Sequence, residues 1–192
     1  ITPYRSRLPV ICIGNFTAGG TGKTPLSLII GDLVQAQGRM PVFLSRGYGG
    51  RTLAPVVVDR AHHSADDVGD EPLLLAARHA TVVARNRADG ARFIEAQFGP
   101  NAVIVMDDGL QNAALAKSLS IAVVDAVRGV GNGRCIPAGP LRAPLAEQMP
   151  RVDILAVSHT APSTLIARAE AAVPRGLDGA GPLPSRIDVR VV

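Results

Sequence analysis

The sequence predicts an α/β fold of the P-loop NTPase type, a mainly parallel sheet with helices on both faces, on three observations. Short β-rich apolar runs alternate with helical or loop segments along the chain, as strands joined by crossover helices do. The first run, Val10 to Ile13, opens into the glycine-rich turn Thr17-Ala18-Gly19-Gly20-Thr21-Gly22-Lys23-Thr24. A later run, Ala102 to Met106, ends in Asp107-Asp108-Gly109.

Further strands are expected at Val42 to Leu44, Val56 to Val58, Thr81 to Ala84, Ile121 to Val124 and Ile154 to Val157, each a short run rich in β-branched residues. Helices are expected at Pro25 to Gln37, Glu71 to His79, Arg87 to Phe98 and Ser163 to Ala172. The first has Thr24 as N-cap, Pro25 in its first turn and Gly38 as its stop, with Leu26, Ile29, Ile30, Leu33 and Val34 forming one apolar face. Gly99-Pro100 stops the third. The Gly- and Pro-rich stretch Val173 to Ser185 reads as a linker. Residues 1–185 are read as one P-loop core, and 186–192 as the start of a linker or C-terminal lobe. The absence of Met before Ile1 and the strand-like run that ends the chain suggest a fragment.

The turn after the first strand has the chemistry of a phosphate-binding loop. Glycines 19, 20 and 22 let successive backbone N–H groups face a polyphosphate, with φ > 0 expected where the turn tightens. Residues Thr17 through Thr24 are thus the expected ATP-binding segment. Lys23 supplies positive charge for the β- and γ-phosphates, and the Thr24 hydroxyl a ligand for Mg²⁺. Thr17 occupies the position where the strict motif has its first glycine. Asp107 and Asp108, at the end of a strand, offer the hard oxygen ligands that Mg²⁺ requires; a plain turn after a strand is the other reading of Asp-Asp-Gly.

Elsewhere the residues leave alternatives open. Gly69-Asp70-Glu71-Pro72 places two carboxylates at a helix start, for chemistry or merely for capping. Ser45-Arg46-Gly47-Tyr48-Gly49-Gly50 could aim Arg46 at a transferring phosphoryl group or be a solvated loop. Arg128, Arg134 and Arg142 lie around Gly129 to Gly133 and Pro137 to Pro140, a segment able to dock an anion or to stay solvated. The histidines at 62, 63, 79 and 159 show no catalytic spacing and read as surface or cap residues.

Composition narrows the function classes. The chain has 192 residues, 47% of them hydrophobic, enough for one substantial core. A net charge of +4 with 3% aromatic residues argues against nucleic-acid binding. Cys12 and Cys135 form no metal-binding spacing and fit a reducing cytoplasm. No apolar run approaches the ~20 residues that span a bilayer.

Gly14 through Pro25, Ser45 to Gly49, Gly69 to Pro72, Asp107-Asp108-Gly109-Leu110-Gln111, and Gly131-Asn132-Gly133 through Pro137-Ala138-Gly139-Pro140-Leu141-Arg142 occur in one order. This combination strongly resembles the tetraacyldisaccharide 4'-kinase family of lipid A synthesis, from about Tyr4 to Asp153. The resemblance implies transfer of the ATP γ-phosphate to the 4'-hydroxyl of a tetraacylated glucosamine disaccharide 1-phosphate, yielding lipid IVA. It places the enzyme at the cytoplasmic face of a bacterial inner membrane, in peripheral contact with it. By motif position, Lys23 and Arg46 neutralise phosphate charge, and Thr24, Glu71, Asp107 and Asp108 surround Mg²⁺. Asp70 is the base, Gln111 orients groups near the metal, and the loop from Arg128 to Arg142 faces the acceptor. The family usually has His where this chain has Asn112, so no proton or ligand role is expected there. The family also carries an N-terminal hydrophobic helix and a C-terminal lobe whose histidine pairs with the base; the resemblance takes in neither.

A regulatory or metal-delivering P-loop ATPase or GTPase is the alternative. Against it, Ala18 stands where partition-type ATPases have a signature Lys, and Val157-Ser158-His159-Thr160 stands where GTPases carry their guanine reader. A nucleotide-binding module without turnover is a third class.

Overall fold

The computed structural model describes residues 2–159 and 185–190, the expected helix at 163–172 and linker at 173–185 lying almost wholly outside them. The chain forms two compact units. Residues 2–12 and 24–118 make the first, and 13–23 with the described part of 119–192 the second.

In the first unit, β2 (Met40–Ser45), β4 (Thr81–Val83) and β5 (Ala102–Asp107) run parallel, with Phe43 opposite Thr81 and Val105. The edge is β3 (Val56–Val57), shorter than the expected run and antiparallel to β4. The first residues of β1 (Val10–Gly14) follow β5, Ile104 donating its N–H to Pro9. Strand residues point alternately to opposite faces, and helices cover both. On one face, α4 (Arg87–Phe98) packs Ala91 and Ile94 among Val42, Leu44, Val82, Ile104 and Met106. On the other, α1 (Lys23–Ala36) brings Gly31 against Phe43 and His79 so tightly that a Cβ there would lie 2.9 Å from both.

That contact corrects the expected apolar face of α1. Ile29 and Leu33 are 41% and 56% exposed, whereas Leu26, Ser27 and Gly31 are buried. Small residues let the helix axis approach the sheet, so packing selected Ser27 and Gly31 over the larger aliphatic stripe. The helix also begins at Lys23, so Thr24 sits in its first turn instead of capping it. Gly38, with φ of 74°, ends the helix region as expected. His79 is corrected too, since its ring is buried beside Phe43 and its Nε2 lies 2.8 Å from Asp32 Oδ1. His62 and His63 instead stay at the surface, both hydrogen-bonded to Asp59.

Two short helices follow β3: α2 (Ala65–Val68) and α3 (Asp70–Ala76). The second begins one residue before the expected start and ends three residues short of His79. In the second unit β6 (Leu119–Asp125), β7 (Ile154–His159) and β8 (Ser185–Arg190) run parallel, Asp125 pairing with Ser158. Between β6 and β7 lie a long irregular segment and the one-turn helix α5 (Leu145–Gln148). Both cysteines are free; burial pushes the Cys12 thiol up to about 12. Among the described residues no helix is long and apolar enough to cross a membrane.

Candidate active site

The glycine-rich loop belongs to the second unit, where the irregular segment after β6 props it open. Ala18 donates its N–H to Pro140 O at 2.8 Å, and Arg142 donates its N–H to Phe16 O at 2.9 Å. Thr17 faces Leu141 in an isolated antiparallel bridge. This pairing explains the missing first glycine: Thr17 keeps negative φ, which any residue adopts. Of the three glycines expected to need positive φ, Gly19 (107°) and Gly22 (83°) have it and Gly20 does not. A Cβ at Gly19 or Gly20 would have no atom within 4 Å, and both residues line a cavity of about 240 Å³ with Thr17, Ala18, Thr21, Asp125 and Arg128. Open space bordered by backbone amides is the cradle a polyphosphate requires.

Gly22 has a second constraint. A Cβ there would lie 2.9 Å from Ser158 Oγ, at the end of β7. Gly22→Ala is therefore expected to lower stability by about 1–2 kcal/mol through the left-handed φ and the contact together. A second substitution, Ser158→Ala, should recover only the contact part, as thermal melting of the single and double variants would show.

Arg142 does not point away as an isolated acceptor-docking group. It is exposed, but its Nε donates to Thr17 O at 3.2 Å, so it also braces the phosphate loop. Arg128 is exposed at the cavity. Asp125 is a site residue that the sequence reading missed. Its Oδ1 accepts the N–H groups of Val127 (2.9 Å) and Arg128 (2.8 Å), shaping the turn that presents Arg128 to the cavity. The signal was available, since Asp125 ends an apolar run just as Asp107 does.

The acidic elements belong to the first unit. Asp107 is buried and its Oδ1 accepts the hydroxyl of Ser27 at 2.8 Å. Ser27 lies three residues beyond Thr24, hence on the same side of α1. The carboxylate on β5 is thereby tied to the first turns of the helix that Lys23 begins. Asp108 follows with φ of 49°, the left-handed region that a non-glycine residue rarely adopts and that clusters at functional sites. Beyond it, Lys117 Nζ donates to Leu110 O and Asn112 O, both at 2.8 Å, fixing the turn that carries Gln111. The Asn112 side chain accepts from Ala114 N at 3.0 Å, a local turn contact with no call on a metal or proton.

Asp70 and Glu71 are both exposed in the first turn of α3. The N-cap is Gly69, with φ of 90°, and a Cβ there would lie 2.5 Å from Tyr48 O. Asp70 is thus not the N-cap but a first-turn carboxylate, placed with Glu71 where the helix dipole favours negative charge. The arginine loop packs against the same junction: Arg51 and Thr52 donate their N–H groups to Asp66 O and Asp67 O, both at 3.0 Å. Arg46 is exposed and makes no hydrogen bond or ion pair among the described residues. In this unit, then, backbone contacts join the loop of Arg46 to the turn that starts Asp70 and Glu71. Among the described residues, no three or more His, Cys, Asp or Glu side chains gather as a metal cage.

The family model for tetraacyldisaccharide-1-P 4'-kinase matches residues 1–179. The chain is 57% identical over 166 residues to the tetraacyldisaccharide 4'-kinase of Methylobacterium radiotolerans, covering 86% of this chain and 50% of that protein. It is 60% identical over 144 residues to the enzyme of that description from Methylorubrum extorquens, covering 75% of this chain and 43% of that protein. For Bradyrhizobium sp. the figures are 53% over 167 residues, 86% and 48%. The chain spans about half the length of the curated relatives it matches. LpxK from Aquifex aeolicus, solved in complex with ATP, superposes with a TM-score of 0.75 over 98% of this chain and 56% of that one, at 24% identity. That likeness shows that the two chains share a fold. The chain belongs to the tetraacyldisaccharide 4'-kinase family.

Proposed function

We propose that this chain is the nucleotide-binding core of an ATP-dependent kinase. The acceptor is the 4'-hydroxyl of a tetraacyldisaccharide 1-phosphate, and the product is lipid IVA. One observation carries the reading: a glycine cradle leads into a helix whose Ser27 grips the strand-end carboxylate Asp107.

Backbone N–H groups of residues 17–24 bind the ATP phosphates, and the start of α1 adds the positive end of its dipole. Lys23 and Arg46 neutralise phosphate charge. The oxygens of Thr24, Asp107 and Asp108 fit Mg²⁺, which takes hard ligands and usually needs only one or two carboxylates because phosphates and water complete its shell. Glu71 completes the set proposed for it, and Gln111 orients groups nearby. When bound, Mg²⁺ offsets charge on the transferring phosphoryl group. Asp70, exposed and outside the cap, is the base that takes the proton of the acceptor hydroxyl. Arg128 and Arg142 face the anionic acceptor, the second while bracing Thr17. Because the acceptor is a lipid, the enzyme works in peripheral contact with the inner membrane, on its cytoplasmic face where ATP is available.

ATP consumption by the complete protein, followed with and without the disaccharide acceptor, tests this reading. Phosphate should pass to the lipid in step with ADP release, and bare hydrolysis should be much slower. ADP release indifferent to the acceptor would favour a regulatory ATPase. Asp107→Asn and Asp108→Asn should leave the fold intact, because the amide keeps the carboxylate's shape. They should lower turnover at least tenfold and raise the Mg²⁺ concentration needed for half-maximal rate. Wild-type Mg²⁺ titrations in both variants would remove these residues from the metal site.

A further inference from the structure

Ser158 closes the apolar run Ile154-Leu155-Ala156-Val157 of β7. It is 2% exposed, and its Oγ has no hydrogen-bond partner among the described residues. A buried hydroxyl left unpaired gives up its hydration with no hydrogen bond in return, and alanine would occupy the strand end without that cost. The backbone fixes where this hydroxyl sits. Ser158 pairs with Asp125 of β6, and its carbonyl accepts the Ala126 N–H at 2.9 Å.

What the hydroxyl faces is the phosphate loop of the same unit. A Cβ on Gly22 would lie 2.9 Å from Ser158 Oγ, so the missing side chain lets the hydroxyl meet the loop's backbone. On the other side of the peptide that joins Thr21 to Gly22, Thr21 lines the cavity. Its own hydroxyl is buried and lacks a partner among the described residues. Buried hydroxyls are ordinarily paired, yet both polar side chains beside this one peptide are not. The N–H and C=O of a trans peptide point in opposite directions. A phosphate that draws the Gly22 N–H into the cavity therefore turns the Thr21 carbonyl back toward Ser158. We infer that Ser158 is a positioning residue of the phosphate loop: its hydroxyl donates to the Thr21 carbonyl when the Gly22 N–H faces a nucleotide phosphate, and holds the peptide in that orientation. This rests on the reading of residues 17–24 as the phosphate-binding segment.

Calorimetric titration of the complete protein with ADP and Mg²⁺, alongside melting without nucleotide, tests the inference in Ser158→Ala and Ser158→Thr. Ser158→Ala loses only an unpaired hydroxyl, so without nucleotide it should melt no lower than wild type. It should nevertheless bind ADP roughly fivefold more weakly, the effect of one hydrogen bond. Ser158→Thr keeps the hydroxyl and should stay within about twofold of wild-type affinity. The inference is overturned if Ser158→Ala binds ADP as tightly as wild type, or if Ser158→Thr loses as much affinity as Ser158→Ala, since shape and not the hydroxyl would then matter. A Ser158→Ala protein that melts well below wild type without nucleotide would assign the residue to packing and overturn the inference too. Wild-type protein that binds no ADP would reject the phosphate-loop reading itself, a separate result that takes the inference with it.

Discussion

Lys23→Ala is expected to cut phosphate transfer by roughly 10²–10³-fold, the range found when one preorganised donor to developing charge is removed. ATP affinity should fall by less. Charge on the oxygens around the transferred phosphoryl group is redistributed as the transition state forms, so a group aimed at it contributes more to the rate than to ground-state binding. Lys23 is 8% exposed at the start of α1. Melting curves of the variant separate a loss of rate from a loss of fold. Turnover and ATP affinity both unchanged in Lys23→Ala would remove the phosphate-binding role.

Asp70→Asn should lower the rate by roughly 10²–10⁴-fold, the usual contribution of a positioned base. The structure narrows the competing structural role. Gly69, not Asp70, is the N-cap of α3. What remains for a structural role is attraction between a carboxylate and the helix N-terminus, about 0.3–1 kcal/mol at an exposed site. Stability should shift by no more than that while the rate collapses. A near wild-type rate of transfer to the disaccharide would leave Asp70 a first-turn carboxylate and the base unassigned.

The site was legible in the sequence where chemistry follows local order. The phosphate loop, Lys23, Thr24 and Asp107 can be read because a strand, a turn and a helix start are contiguous residues, and the strand limits at β1 and β5 agree closely with the apolar runs. Residues whose role depends on distant chain were missed. Ser27 looks like any polar position within a helix until β5 brings Asp107 to it across 80 residues. Arg87 is indistinguishable from a solvated helix-start arginine until its carbonyl partners are in place. The apolar face of α1 was misread for a related reason. Hydrophobic periodicity ranks Ile29 and Leu33 above Gly31, whereas close approach to Phe43 rewards the absence of a side chain. Thr17 shows the converse, because a motif glycine is dispensable where the backbone pairs as an extended strand.

The central claim is that this core serves phosphorylation at one hydroxyl of an acylated disaccharide. The most direct measurement is ³¹P nuclear magnetic resonance of the lipid product after the complete protein has acted on the disaccharide 1-phosphate with MgATP. A second phosphomonoester signal, coupled to the proton at the 4' carbon, should grow as ATP is converted to ADP, and should grow roughly 10²–10³-fold more slowly with Lys23→Ala. A product still carrying only its 1-phosphate while ATP becomes ADP and inorganic phosphate would contradict the claim.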